Sequence, residues 1–294
     1  MVFVYFSAPI RWTDVVKRTI REIDEDNCLG LAAQLAFYFL LALFPAVLFL
    51  VVLAGYLPVE NALAELVVAL GAVAPEELVA ILRWQLDRIA EGRHGSLLTL
   101  GIVGAIWSSS AAIVAIIDAL NHAYDVSEWR PWWKRRLVAI ALTIVLAVFT
   151  LVAFAFVLVG PALASRIAAW LGLAPAVAFV WQLIRWPVIL LSAVLGVDFV
   201  YHFAPNRAAQ WAWITPGALV ATALWIASSF GFKFYLTNVA DYAATYGTIG
   251  GVIVTMLWFY VSGLALLVGA ELNGVIEGAS RSNRSDAPLA ASRA

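Results

Sequence analysis

The stretch LVAIALTIVLAVFTLVAFAFVLV, residues 137–159, carries no ionisable side chain. A helix of about 20 such residues crosses the ~30 Å hydrocarbon core of a bilayer. Five further runs resemble it: Leu29–Leu57, Leu97–Ala119, Val177–Phe203, Trp211–Leu236 and Gly247–Leu272. A soluble core cannot hide so many, and none alternates with the period of two that a membrane barrel requires. The reading is an all-α, polytopic membrane helical bundle of six transmembrane helices with interfacial amphipathic helices.

Composition agrees. Mean hydropathy of +0.92 over 294 residues suits one integral membrane domain. A net charge of −1 provides no global field for nucleic acid, which is not expected as a partner. Cys28 is the only cysteine, so no intramolecular disulfide can form. The first apolar run is too long for a signal-peptide core and is read as a retained span. The 13 tryptophans gather near the ends of runs, as interfacial belts do.

Three segments follow. Residues 1–28 hold Arg11, Lys17, Arg18 and Arg21, then Glu22, Asp24, Glu25 and Asp26, and read as an amphipathic cytoplasmic segment. Residues 29–277 form the membrane domain. Within it, 58–95 differs in kind: Leu78, Ile81, Leu82, Leu86 and Ile89 recur at helical spacing against Arg83, Asp87, Arg88 and Glu91. That pattern predicts an extracytoplasmic interfacial helix, too charged to span. Residues 278–294, rich in Ser, Ala and Arg, read as a disordered cytoplasmic tail. Pro45 and Pro187 are expected to bend or break the first and fourth spans.

Orientation follows from Lys and Arg. With the amino terminus inside, cytoplasmic segments hold roughly three times as many as the outer ones, where only Arg83, Arg88, Arg93 and Arg166 fall. Both termini are therefore expected in the cytoplasm.

Charged groups at the centre of a span cost roughly 2.5–3.5 kcal/mol each on insertion scales, so they are expected to face protein or water. Arg185 lies well inside the fourth run. Asp198 and His202 share a face nearer the cytoplasm, and Arg185 points about 140° away. Contact on two sides places this helix centrally. Lys233 lies toward the outer end of the fifth span, where snorkelling and a pathway role are both open. Asp118, Asn121 and His122 end the second span, Asn206 follows the fourth, and Glu271 lies near the end of the sixth. Together they predict a polar inner vestibule beneath a basic outer region, although Asn121, His122 and Asn206 also suit plain helix caps. Ser108-Ser109-Ser110, Gly217 with Ala221, and Ala265 with Gly269 predict close helix contacts. The third span reads as a lipid-facing wall.

No His-Glu-x-x-His, P-loop or Gly-x-Ser-x-Gly pattern occurs, and three histidines with one cysteine make a zinc site unexpected. No cofactor, metal or catalytic residue is assigned.

The residues Leu31-Ala32-Ala33-Gln34-Leu35-Ala36-Phe37-Tyr38, Trp107-Ser108-Ser109-Ser110, Asn121-His122-Ala123-Tyr124, Tyr201-His202-Phe203-Ala204-Pro205-Asn206-Arg207, Pro216-Gly217, Tyr246-Gly247, and Gly269-Ala270-Glu271-Leu272-Asn273 resemble the YihY/BrkB family of bacterial inner-membrane proteins. The likeness spans about residues 10–277. It implies a six-helix fold with both termini in the cytoplasm, and adds Tyr201 to the candidates through the Tyr-x-x-x-Pro-Asn motif. Labels in the family include ribonuclease BN and serum-resistance factor, and a role in envelope lipid export has been suggested. A nuclease needs metal-binding side chains beside a basic groove, for which this chain offers no sizeable soluble domain.

The expectation is a transporter or flippase-like exporter of an anionic amphiphile or lipid, not an enzyme. The rival is a non-transporting scaffold for envelope proteins. Membrane lipids are the expected partners, an anionic lipid or solute the expected substrate, and a homo-oligomer is left open. A groove lined by Arg185, Asp198 and Glu271 would favour transport; a dry, paired core would favour the scaffold.

Overall fold

The computed structural model describes residues 11–54, 71, 76, 79–80, 83, 97–158, 174–207, 213–238 and 248–291. They form helices α1 (Trp12–Glu25), α2 (Cys28–Ala54), α3 (Leu97–Ala123), α4 (Trp132–Leu158), α5 (Ala174–Phe203), α6 (Pro216–Asn238) and α7 (Thr248–Ala291). No strand occurs among the described residues. The expected interfacial helix within 58–95 lies almost wholly outside them.

This is a helical membrane protein. Among the described residues four helices are singly long and apolar enough to cross a bilayer: α4, α5, α6 and α7. Counted as one span, the pair α1–α2, bent by 63° at its break, raises the number to five at most. The expected six crossings are therefore not reproduced as a count. The side chains of α2 beyond Pro45 and of α3 before Ile106 lie outside the described residues. The outward surfaces suit lipid. Leu137, Ile144, Val148 and Val152 of α4 are all exposed along one stripe, a pattern that water would penalise.

Sequence neighbours pack as spatial neighbours from α2 round to α7, and α7 closes the ring on α2. Helix α7 also meets α1 and α3, whereas α5 meets chiefly α4 and α6. The central helix is thus the last one, not the fourth run as expected. Small residues explain this. A Cβ on Gly263 would approach Leu35 Cβ to 3.3 Å, and one on Gly274 would approach the Ala123 carbonyl to 3.1 Å. Helix α5 instead turns Leu183, Ile184, Trp186, Leu190 and Leu191 outward.

Neither proline breaks its helix. Helix α2 runs through Pro45 and α5 through Pro187. A buried span can lose one ladder hydrogen bond when neighbouring helices cover the freed carbonyl. Nor does the chain lose order at Gly278: α7 continues to Ala291. Extending an existing helix needs no new nucleus, so an Ala- and Ser-rich tail can follow it.

Helix α1 is amphipathic in two directions. Val15 and Thr19 are buried, and Val15 packs with Leu272, Val275 and Ile276 of α7. Trp12, Val16 and Ile20, one turn apart, remain exposed as an apolar row. Such a two-sided helix has the composition of an interfacial one. It ends where Asn27 adopts φ 49°, a left-handed conformation asparagine tolerates. Asn27 Oδ1 then accepts the Gly30 N–H at 3.3 Å and caps α2.

Candidate functional site

The polar candidates divide between the two ends of the bundle. At the α1 end, where α3 and α5 finish and α4 and α6 begin, a hydrogen-bonded lattice joins most of them.

Thr215 precedes Pro216, the first residue of α6, and acts as its cap: Thr215 Oγ1 accepts the Ala218 N–H at 3.2 Å. Asp198 of α5, only 4% exposed, accepts both the N–H and the hydroxyl of Thr215. The positive end of α6 therefore faces a carboxylate. Asn273 of α7 completes the knot. Its Nδ2 donates to Thr215 Oγ1 at 2.9 Å, and its Oδ1 accepts the Gly217 N–H at 2.8 Å. Beside it the Tyr201 hydroxyl donates to the Leu266 carbonyl of α7.

A second lattice ties α3 to the chain after α5. Asn121 Nδ2 donates to Glu128 Oε2 at 3.0 Å, and Asn121 Oδ1 accepts the Asn206 N–H at 2.8 Å. Asn206 Nδ2 donates to the Ser127 carbonyl at 2.9 Å. Arg130 forks onto Glu128 at 2.7 and 2.8 Å and reaches the Ala204 carbonyl at 2.8 Å. Burial pushes the Glu128 carboxyl up. Donation from the Arg130 side chain and backbone, then from Asn121, outweighs it and holds Glu128 below the usual range. Asp118 pairs with Arg135 of α4 at 2.7 Å. Arg207 forks onto Glu277 and stacks 3.7 Å over the Tyr124 ring.

Two cavities open at this end. One, of about 490 Å³, is lined by Trp129, Arg130, His202, Phe203, Asn206 and Arg207. The other, of about 390 Å³, is lined by Arg18, Glu22, Tyr124, Arg207, Glu271 and Glu277 among others. Glu271 is 2% exposed and accepts a hydrogen bond from the Cys28 thiol at 3.3 Å.

Arg185 and Lys233 lie elsewhere. Lys233 Nζ donates to the Gly71 carbonyl at 3.1 Å. Arg185 stands 13 residues before Asp198 on α5, about 20 Å along the axis. Its guanidinium lies 5.7 Å from the Trp186 ring, and its Nε is enclosed without a hydrogen-bond acceptor. Arg185, Asp198 and Glu271 therefore do not share one groove among the described residues. Glu271 faces a cavity, Asp198 is a buried cap partner, and Arg185 stands apart.

The family described as Virulence factor BrkB matches residues 19–294. The chain belongs to that family. It is 37% identical to ribonuclease-like protein YfkH of Bacillus subtilis over 245 residues, covering 83% of this chain and 88% of the relative. It is 24% identical to a UPF0761 membrane protein of Ralstonia nicotianae over 258 residues, 86% of this chain but 56% of that longer protein. A second UPF0761 membrane protein, from Halorhodospira halophila, is 25% identical over 268 residues, 88% of this chain and 56% of its own length. No solved structure matches. Membership in the BrkB family agrees with the resemblance read from the motif residues.

Several residues of this BrkB-family lattice escaped the sequence reading: Thr215, Asn273, Cys28, Glu128 and Arg130. Thr215-Pro216-Gly217 did carry a signal, a capping residue before proline at the first helical position. Apart from the local Arg130–Glu128 pair, the others bond partners 7 to 243 residues away, which no local pattern encodes.

Proposed function

We propose that this protein is a multi-pass transporter of flippase-like action in a bacterial inner membrane, exporting an anionic amphiphile, above all a lipid, and that it is not an enzyme. The observation that carries the reading is Arg185. Its guanidinium is a permanent cation. Within a span such a charge is costly and is ordinarily offset by a carboxylate. Among the described residues no carboxylate forms an ion pair with it, while the acids of the α1 end are engaged by Arg135, Arg130, Arg207, Thr215 and the Cys28 thiol. Arg185 thus stands without a counter-charge among the described residues, which suits a passing anion. Trp186 beside it supplies an apolar surface for an acyl chain.

Orientation supports export from the cytoplasmic side. Arg18, Arg21, Arg130, Lys134, Arg135 and Arg207 gather at the α1 end, which by the positive-inside rule faces the cytoplasm. The test is complementation in a strain lacking its own BrkB-family protein. Wild type restores the envelope phenotype; Arg185→Ala and Arg185→Gln do not, at equal membrane abundance. Full restoration by both variants refutes the role of Arg185.

A scaffold is the second reading, favoured by the ion pairs Arg135–Asp118, Arg130–Glu128 and Arg207–Glu277 that lace the α1 end together. It requires that purified wild type move no lipid.

A further inference from the structure

Arg135 and Arg136 are adjacent on α4 and reach in opposite directions along α3. Arg135 turns toward the helix end and binds Asp118. Arg136 turns the other way and donates to the carbonyl of Trp107, with its guanidinium 4.2 Å from the centre of the Trp107 ring. Trp107 is the eleventh residue of the 27 in α3. It therefore lies about 24 Å from the Ala123 end, near the middle of the helix. Arginines flanking a span ordinarily extend toward water. This one, in the second turn of α4, extends along α3 away from its Ala123 end.

The placement leaves its charge unmatched. Among the described residues no carboxylate pairs with Arg136, and its Nε is enclosed with no acceptor. The Trp107 carbonyl also accepts the Ser110 hydroxyl at 2.7 Å, so it is already shared. The contact lies on the outward surface rather than in the core: Trp107 is 54% exposed, and Trp132, Trp133 and Leu137 are exposed at the start of α4. Lys134 sits 5.4 Å from the Trp133 ring and adds a second cation near the surface.

We propose that the α3–α4 groove is a binding site for an anionic phospholipid of the leaflet at the α1 end, with its phosphate on Arg136. Charge complementarity selects the occupant. A free phosphate would have to leave water for a lipid-facing groove, whereas a phospholipid arrives with its acyl chains already against Leu137 and the tryptophans. A zwitterionic headgroup leaves the net charge of Arg136 uncompensated. Cation–π contact holds the guanidinium plane against Trp107 and leaves its remaining edge for phosphate oxygens. The site stands independently of any substrate role for Arg185, because it requires equilibrium binding and no transport.

The test uses the full chain, delipidated in neutral detergent, titrated with phosphatidylglycerol or phosphatidylcholine and read by native mass spectrometry. Wild type is expected to retain one phosphatidylglycerol under activation that strips phosphatidylcholine. Arg136→Gln should weaken that retention by about tenfold or more, the loss expected for a charge-assisted contact. Arg136→Lys should recover part of it, and Arg135→Gln should leave it unchanged. Equal retention of both lipids by wild type overturns the proposal without recourse to any variant. So does undiminished phosphatidylglycerol retention by folded Arg136→Gln. Failure here leaves the complementation result at Arg185 untouched, so the two claims fall separately.

Discussion

Replacing Gly269 with alanine should separate α6 from α7. At this crossing two glycines face each other. A Cβ on Gly269 would meet the Gly217 carbonyl, the Tyr201 hydroxyl and, at 2.7 Å, the Ala221 Cβ. A Cβ on Gly217 would meet the Gly269 carbonyl and the Asn273 side chain. Backbone carbonyls cannot swing aside as a flexible side chain does, so the helices themselves must shift. Overpacking of this kind costs about 1–3 kcal/mol. The shift also stretches the Asn273 bonds to Gly217 and Thr215, and a buried polar group left unmade costs about 1–3 kcal/mol more. The expected total for Gly269→Ala is about 2–6 kcal/mol of destabilisation. Gly231 lies on α6 as well, but a Cβ there meets nothing within 4 Å. Gly231→Ala should be neutral or stabilise by up to about 1 kcal/mol, through helix propensity alone. Unfolding in mixed micelles titrated with dodecyl sulfate, followed by tryptophan fluorescence, measures both. Equal midpoints for the two variants would refute the close-crossing account.

Asn273→Ala should cost about 1–3 kcal/mol in the same assay, and its effect should be non-additive with Thr215→Val, because both remove the same bond. Glu128 sets an acid limit. Its folded carboxyl titrates below its unfolded value of about 4.3, so the stability it contributes is present above that value and is lost as pH falls through the folded one. Thermal melting of wild type should therefore fall more steeply than that of Glu128→Gln on acidification below about pH 4.3; parallel curves would contradict the Arg130–Glu128 arrangement.

The membrane class was legible because a charge-free run such as 137–159 has one physical solution. Helix positions followed the apolar runs, and residues 12–25 formed the amphipathic helix expected of 1–28. Which helix sits centrally was not legible from polar content. Asp198 and Arg185 suggested the fourth run, but proximity in a bundle is governed by small residues, and Gly263, Gly269 and Gly274 give that position to α7. The prolines misled for a related reason. Their local cost is real, yet tertiary cover keeps α2 and α5 continuous. Among the candidates, Asn121 and Asn206 were read as either vestibule or cap residues; they bond each other and the Ser127–Glu128 turn. Thr215-Pro216-Gly217 carries a capping signal that the reading passed over, and its pairing with Asp198 needed the fold. The reach of Arg136 to Trp107 depends on the α3–α4 packing alone.

The central claim is that an unmatched cation inside the spans handles a passing anion. Purified protein in liposomes carrying acyl-labelled fluorescent phosphatidylglycerol, bleached from outside by dithionite, tests it most directly. Wild type should expose the inner-leaflet label faster than protein-free vesicles, and Arg185→Gln should return the rate to that baseline. A wild-type rate equal to that of empty vesicles, or an Arg185→Gln rate equal to wild type, would contradict it.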